Sequence, residues 1–227
     1  MVYLAQAVAQ TLRITLPTLV DAASGRLQAE RSDARLEQWS RSLIQFARIE
    51  LTVNGREHIP EQEALVVMSN HQSHYDIPVL YQSLGLRLRM VAKTELFRIP
   101  LWGEAMRRVG MIEVDRSDPV AARRSLQHAR GELARGTSIW IAPEGTRSPS
   151  GRLGEFKKGG FHLAQDVGAR ILPVTIDGTR RVLPAKAYHV EPGQAVRVTV
   201  HPPVATSADV SIDELVQKVR QIIESAL

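Results

Sequence analysis

Five apolar residues in a row, Ala64-Leu65-Val66-Val67-Met68, run directly into the polar octet Ser69-Asn70-His71-Gln72-Ser73-His74-Tyr75-Asp76. The run has the length and composition of a buried strand, so the octet lies where that strand ends and another element begins. Binding residues of α/β folds collect at such edges. His71 and Asp76 are too far apart to be strand neighbours, but a turn leading into a helix can fold the carboxylate back onto the imidazole, and Pro78 suits a first helical turn. An Asp accepting from one ring nitrogen fixes the tautomer and leaves the other nitrogen free to take a proton from a hydroxyl. The octet therefore fits a general base. It also fits a plain capped turn, with Asn70, Ser73 and Asp76 ordering the chain and His71 a structural histidine. His71 and His74 form an HxxH pair, but no second ligand pair of recognisable spacing accompanies them and the chain has no Cys, so no metal site is assigned.

Around this stretch, strand-length and helix-length patterns alternate. Leu51–Gly55 reads as a strand and turn, Ile77–Leu84 as a helix closed by Gly85, and Leu88–Ala92 as a strand with Lys93 at its end. A helix from Pro100 to Val109, a strand at Met111–Val114 and a long helix from the Asp118 N-cap and Pro119 to Arg135 follow. Ser138–Ala142 is a strand, Pro143–Lys158 a long Gly-rich loop of the kind that carries function, and Phe161–Val167 a short helix. Ile171–Ile176 and Val196–Val200 are strands, and the capping box Ser211-Ile212-Asp213-Glu214 starts the last helix.

The expected fold is therefore α/β: a single domain, residues 51–227, with a mixed, largely parallel central sheet flanked by helices. An amphipathic two-helix segment, residues 1–50, precedes it. Leu4, Val8, Leu12, Leu16 and Leu19 mark the first helix and Leu36, Trp39, Leu43, Phe46 and Ile49 the second, with a polar connector at Asp21–Asp33. The first helix is too interrupted by polar residues for a membrane span and lacks the features of a signal peptide. The pair packs on the domain or lies in a membrane interface.

The chain has 227 residues, no Cys and a formal charge of +5. The absence of Cys excludes disulfides, a thiolate nucleophile and a zinc ribbon, and suits a cytoplasmic setting. Residues 87–130 carry ten basic and five acidic side chains, which equals the whole net charge. An anionic partner is implied there. Aromatic residues are only 5% and no nucleic-acid-binding signature is present, so a lipid phosphate or anionic membrane surface fits better than a nucleic acid.

Four blocks stand in order: Asn70-His71-Gln72-Ser73-His74-Tyr75-Asp76, Gly110-Met111-Ile112-Glu113-Val114-Asp115-Arg116, Pro143-Glu144-Gly145-Thr146-Arg147-Ser148 and Ile171-Leu172-Pro173-Val174. Together they resemble the bacterial lysophosphatidate acyltransferases, members of the glycerolipid acyltransferases with an NHxxxxD element; Phe156-Lys157-Lys158-Gly159 matches the FKxG that follows in that family. The likeness departs at Glu113 and Ala142, where the family carries larger apolar residues.

The resemblance implies an enzyme that moves a fatty acyl group from acyl-CoA or an acyl carrier protein to the free hydroxyl of lysophosphatidate, giving phosphatidate. It implies His71 as the base and Asp76 as its orienting partner, with no protein nucleophile and no cofactor beyond the thioester co-substrate. A phosphate on the acceptor calls for a guanidinium and backbone N–H groups, which Glu144-Gly145-Thr146-Arg147 can supply. Arg147 leads, Lys93 is a second cation, and Arg116 and Lys157 stand behind them. A membrane lipid as acceptor, an anionic surface as partner and a peripheral or monotopic place on the cytoplasmic face follow from the same likeness. Two other readings stay open: glycerol 3-phosphate or a lyso-aminolipid as acceptor, and a lipid-binding protein without catalysis. Donor, chain length and oligomeric state are left undetermined.

Overall fold

Residues whose side chains alternate between two apolar layers form the centre of the molecule. In the computed structural model, which describes residues 2–115 and 119–227, with side chains for 5–115 and 124–227, seven strands make one sheet. They are β1 (Glu50–Asn54), β2 (Val66–Ser69), β3 (Leu88–Lys93), β4 (Ile112–Val114), β5 (Ser138–Ile141), β6 (Ile171–Asp177) and β7 (Ala195–Val200). Their order is β1-β7-β6-β2-β5-β3-β4. Strands β2 to β6 are mutually parallel; β7 meets β6 antiparallel and β1 runs parallel to β7. The sheet is thus mixed and largely parallel, as the alternation of patterns leads one to expect.

The helices are α1 (Val2–Ala23), α2 (Ala29–Phe46), α3 (Asp76–Leu84), α4 (Thr94–Phe97), α5 (Trp102–Arg108), α6 (Pro119–Ala134), α7 (Gly159–Val167), α8 (Thr179–Val182) and α9 (Ile212–Glu224). On one face of the sheet Val67, Leu172 and Val198 pack with Leu36 and Leu43 of α2 and Leu80 of α3. On the other, Val66, Met68 and Ile139 pack with Phe161 of α7, Val219 of α9 and Leu133 of α6. Coverage on both faces is why β2 reads as an unbroken apolar run.

Two expectations need correction. The polar connector is far shorter than Asp21–Asp33: only residues 24–28 separate α1 from α2. Ala, Glu and Arg favour helix at 29–35, and the acids there are taken up in ion pairs, Asp21 with Arg35 at 2.5 Å and Asp33 with Arg87 and Arg89 at 2.7 Å each. The helix expected from Pro100 begins at Trp102, because Leu101 adopts φ +64 and breaks the turn. Gly103 is required at the join, since a Cβ there would stand 2.1 Å from the carbonyl oxygen of Phe97. The four-residue α8 between β6 and β7 has no counterpart in the sequence reading. The proposed Asp118 N-cap lies outside the described residues.

The apolar stripe of α1 faces outward. Val8, Leu12, Leu16 and Val20 are 51%, 43%, 49% and 61% exposed, whereas Thr15 and Thr18 face inward and are buried. Among the described residues no helix is long and apolar enough to cross a membrane.

Candidate active site

The C-terminal ends of β2, β3, β5 and β6 converge on one edge of the sheet, and the octet leaves β2 there. Its first polar side chain ties it to the neighbouring strand: the Asn70 amide donates to the Ile176 carbonyl and accepts from the Ile176 N–H, both at 2.8 Å. Asn70 thus continues the β2–β6 ladder through a side chain, and the backbone is free to turn.

That turn brings Asp76 back to His71, Oδ2 lying 2.7 Å from Nδ1. The carboxylate is fully buried. Oδ2 also accepts from the backbone N–H groups of Gln72 at 2.7 Å and Ser73 at 2.9 Å, and Oδ1 accepts from the Thr179 hydroxyl at 2.5 Å. With both oxygens acting as acceptors, Nδ1 carries the proton and Nε2 presents its lone pair. The His71 ring meets Trp140 edge-on, centroids 5.4 Å apart, and the Trp140 indole donates to Ser69 Oγ at 2.9 Å. Geometry on both sides fixes the imidazole.

The loop after β5 is bound to the same turn. The Ser148 N–H donates to the His71 carbonyl at 2.7 Å. Glu144 takes the His71 N–H on Oε1 at 3.0 Å and the Gly154 N–H on Oε2 at 2.7 Å. This buried carboxylate accepts a backbone N–H on each oxygen and so ties the loop to the turn. Gly145 sits at φ +72, a conformation that suits glycine in the tight turn before Arg147.

His71 opens onto a cavity of about 530 Å³. Lys93, Gly145, Thr146 and Arg147 line the same cavity, so the structure brings these expected binding residues together with the proposed base. Lys157 is elsewhere: it is exposed and pairs with Glu155 at 3.0 Å. Arg116 lies outside the described residues. Of the two departures, Ala142 lines the cavity, while Glu113 points to Arg107 at 3.1 Å, clear of the dyad. Much of the remaining lining is apolar, with Met90, Trp102, Met106 and Ile141 together with Ile14 and Trp39 of the N-terminal helices, although Arg35 and Glu95 also reach it. This chamber suits an alkyl chain.

His74 also lines the cavity. The residue is exposed, and its neighbours take part of its ring out of water. That desolvation, followed by the Arg147 and His71 charges, holds its imidazole down to about 4. His74 is therefore neutral near neutral pH and does not add charge beside Arg147. The sequence reading missed Trp140, Thr179 and the inner face of α1, none of which carries a local motif.

A family model described as acyltransferase matches residues 50–177. The chain is 36% identical over 185 residues to a chloroplastic 1-acyl-sn-glycerol-3-phosphate acyltransferase of Arabidopsis thaliana, covering 81% of this chain and 51% of that protein. It is 36% identical over 144 residues to a 1-acyl-sn-glycerol-3-phosphate acyltransferase of Pseudomonas aeruginosa, covering 61% of this chain and 55% of that one. The chain thus spans about half the length of these curated relatives. The crystal structure of the 1-acyl-sn-glycerophosphate acyltransferase PlsC from Thermotoga maritima superposes with a TM-score of 0.78 at 26% identity, covering 97% of this chain and 95% of that one.

Proposed function

The chain belongs to the acyltransferase family, and on that premise we propose that it transfers a fatty acyl group from a thioester to the free hydroxyl of lysophosphatidate, giving phosphatidate. The observation that carries this reading is the position of His71: oriented by Asp76, it shares one cavity with Arg147, Lys93 and a largely apolar lining.

In this mechanism the acceptor's phosphate is held by Arg147 and Lys93, which places its free hydroxyl at His71 Nε2. The hydroxyl oxygen attacks the thioester carbonyl carbon as Nε2 takes the proton. The imidazolium so formed faces Asp76 through Nδ1, and the buried carboxylate stabilises it. Collapse of the tetrahedral intermediate breaks the carbon–sulfur bond, and the thiolate leaves with the proton held by His71. The acyl chain occupies the apolar chamber between the sheet and α1–α2. No covalent acyl-enzyme forms. Glu144 holds the base and the phosphate-binding loop in register through its bonds to His71 and Gly154.

The outward stripe of α1, with exposed Ile99 and Leu101 in the link preceding α5, gives an apolar face that we assign to a membrane interface. Arg13 beside it meets anionic headgroups, and the acceptor enters the cavity from that side.

Purified protein given lysophosphatidate and a long-chain acyl thioester should form phosphatidate, and His71→Ala should lower kcat at least a hundredfold with an unchanged circular dichroism spectrum. A natively folded His71→Ala protein keeping more than about a tenth of wild-type kcat would remove His71 from the base role. Turnover of glycerol 3-phosphate or a lyso-aminolipid in preference to lysophosphatidate would move the acceptor assignment within the same chemistry.

A further inference from the structure

Glu144 holds the His71 N–H on one oxygen and the Gly154 N–H on the other, and the peptide that carries the second N–H is itself gripped by the last helix. Nη2 of Arg220 on α9 donates to the Leu153 carbonyl at 3.3 Å, and Nη1 donates to the Gly154 carbonyl. The peptide joining Leu153 to Gly154 therefore has a cation on its oxygen and a carboxylate on its N–H. Charge at both ends polarises the amide in the same sense, so each bond strengthens the other. The guanidinium lies over the Phe156 ring, 5.6 Å from its centroid, and Phe156 stacks on Phe161 in the core. Gly154 leaves little slack, because a Cβ there would stand 3.2 Å from Glu144 Oε2. Helix α9 gives Arg220 a fixed mounting: Leu215, Val219 and Ile223 are buried, and the Ile223 carbonyl accepts from the Thr175 hydroxyl of β6 at 2.7 Å.

We infer that Arg220 is a positioning residue for His71, acting through this peptide and Glu144, a role whose kinetic consequence rests on the acyl-transfer reading. Three successive hydrogen-bonded links connect the last helix to the base: Arg220 to the peptide oxygen, the peptide N–H to Glu144, and Glu144 to the His71 N–H. Asp76 fixes the imidazole at Nδ1, but the backbone from which the ring extends is set by Glu144 and the Ser148 N–H. A neutral side chain at position 220 leaves the peptide free to tilt, Glu144 follows, and Nε2 leaves the line of the acceptor hydroxyl. A misplacement of about 1 Å costs on the order of a hundredfold in rate, and a smaller one about tenfold. The stretch that carries Arg147 is moored separately, by the Gly145 N–H to the Ala142 carbonyl and the Ser148 N–H to the His71 carbonyl. Loss of Arg220 therefore lowers kcat and spares the KM for lysophosphatidate.

The test uses the full chain in neutral detergent micelles as wild type, Arg220→Met and Arg220→Lys. Methionine keeps an apolar stem over Phe156 and removes the donors, whereas lysine keeps the charge. With lysophosphatidate and palmitoyl-CoA, kcat should fall about tenfold in Arg220→Met and return to within about threefold of wild type in Arg220→Lys, with KM for lysophosphatidate within about twofold throughout. Isotopic nitrogen labelling of the seven histidines gives an NMR readout independent of turnover. The His71 amide proton, identified by its loss in His71→Ala, should move upfield in Arg220→Met as its bond to Glu144 weakens, while the His58 amide stays in place. An unchanged kcat in folded Arg220→Met, or a His71 amide that does not move, overturns the role. Equal worsening of kcat and KM overturns it in favour of general support for the loop, and a lysine variant as slow as the methionine one overturns the action through charge. If Arg220→Met does not fold, Arg220→Gln, which keeps a donor without the charge, is read by the same two measurements, and no change in either counts against the role. A wild type that transfers no acyl group would remove the acyl-transfer reading, and the amide shift would still decide whether Arg220 sets the place of His71.

Discussion

Asp76 is held by donors from two separate stretches: its own turn, through the His71 ring and the Gln72 and Ser73 N–H groups, and Thr179 on α8. This arrangement makes Asp76→Asn informative. An amide can keep its oxygen toward His71, Gln72 and Ser73 and turn its NH2 toward the Thr179 hydroxyl, which is able to accept. The variant should fold and keep the tautomer, losing only the charge that stabilises imidazolium. Its kcat should fall about 10²-fold, less than in His71→Ala, and adding Thr179→Val should lower both kcat and thermal stability further by leaving the NH2 buried without a partner. A double variant no worse than the single would show that Thr179 does not support Asp76.

Arg147→Lys keeps the charge and loses the planar fork. If the guanidinium grips a phosphate with two bonds, kcat/KM for lysophosphatidate should drop about ten- to hundredfold, the equivalent of one charge-assisted bond at about 1.5–3 kcal/mol. Hydrolysis of the thioester by water needs no such grip and should be nearly unaffected. Equal losses in both reactions would move Arg147 from the acceptor to the loop or the donor. His74, beside it, has a separate signature. Its imidazole titrates at about 4 in the folded chain against about 6.5 unfolded. Between those values the unfolded chain holds more protons, so stability falls as pH drops from about 6.5 toward 4 and is unaffected above. In His74→Gln, the urea midpoint should be flatter across that window, with burial of His201 retaining part of the slope. Parallel curves for variant and wild type would exclude His74 as a source of the pH dependence.

At the level of elements, α1 and α2 differ in what they contribute. Helix α1 presents its apolar side outward, whereas α2 supplies Leu36 and Leu43 to the core and Asp33 to the buried Arg89. Removing residues 1–27 should therefore leave cooperative unfolding intact and weaken sedimentation with anionic vesicles. Removing residues 1–48 should also lower the melting temperature sharply, because it uncovers α3 and strands a buried guanidinium. Equal melting temperatures for the two truncations would contradict the place given to α2. Local chemistry made many elements readable: Ser211 and Glu214 form the capping box suggested by their spacing, and Gly85 closes α3 in the left-handed conformation. Helix α1 was read correctly as amphipathic, but periodicity does not say which side is inward. Its threonines line the cavity only because tertiary packing turns them there.

For the molecule as a whole, the sheet and the dyad were legible because they depend on short-range patterns: strand-length runs, turn residues and a His and Asp five positions apart. The parts that were not legible are contacts between distant segments. Trp140 lies 71 positions from its partner Ser69, and Thr179 lies 103 from Asp76. Neither residue type in isolation signals such a role. Glu144 was visible as part of a block, but only the fold shows its oxygens committed to backbone N–H groups on either side of the site.

The reversed direction of β7 has a practical consequence. Because β7 is antiparallel to β6, the segment from Leu183 to Gln194 begins and ends at the same edge of the sheet, anchored by the buried Val190. Its length is not coupled to the register of any strand, and Tyr188 at its centre is 80% exposed. A short Gly-Ser insertion after Lys186 should leave the melting temperature within about 2 °C of the parent; a larger fall would mean that the segment packs more tightly than its exposure indicates. The same place accepts a cysteine at Tyr188, the only thiol in a chain that otherwise has none. A single fluorophore attached there would sit beside the α8 end of the catalytic edge and report substrate arrival by its emission, with no background labelling.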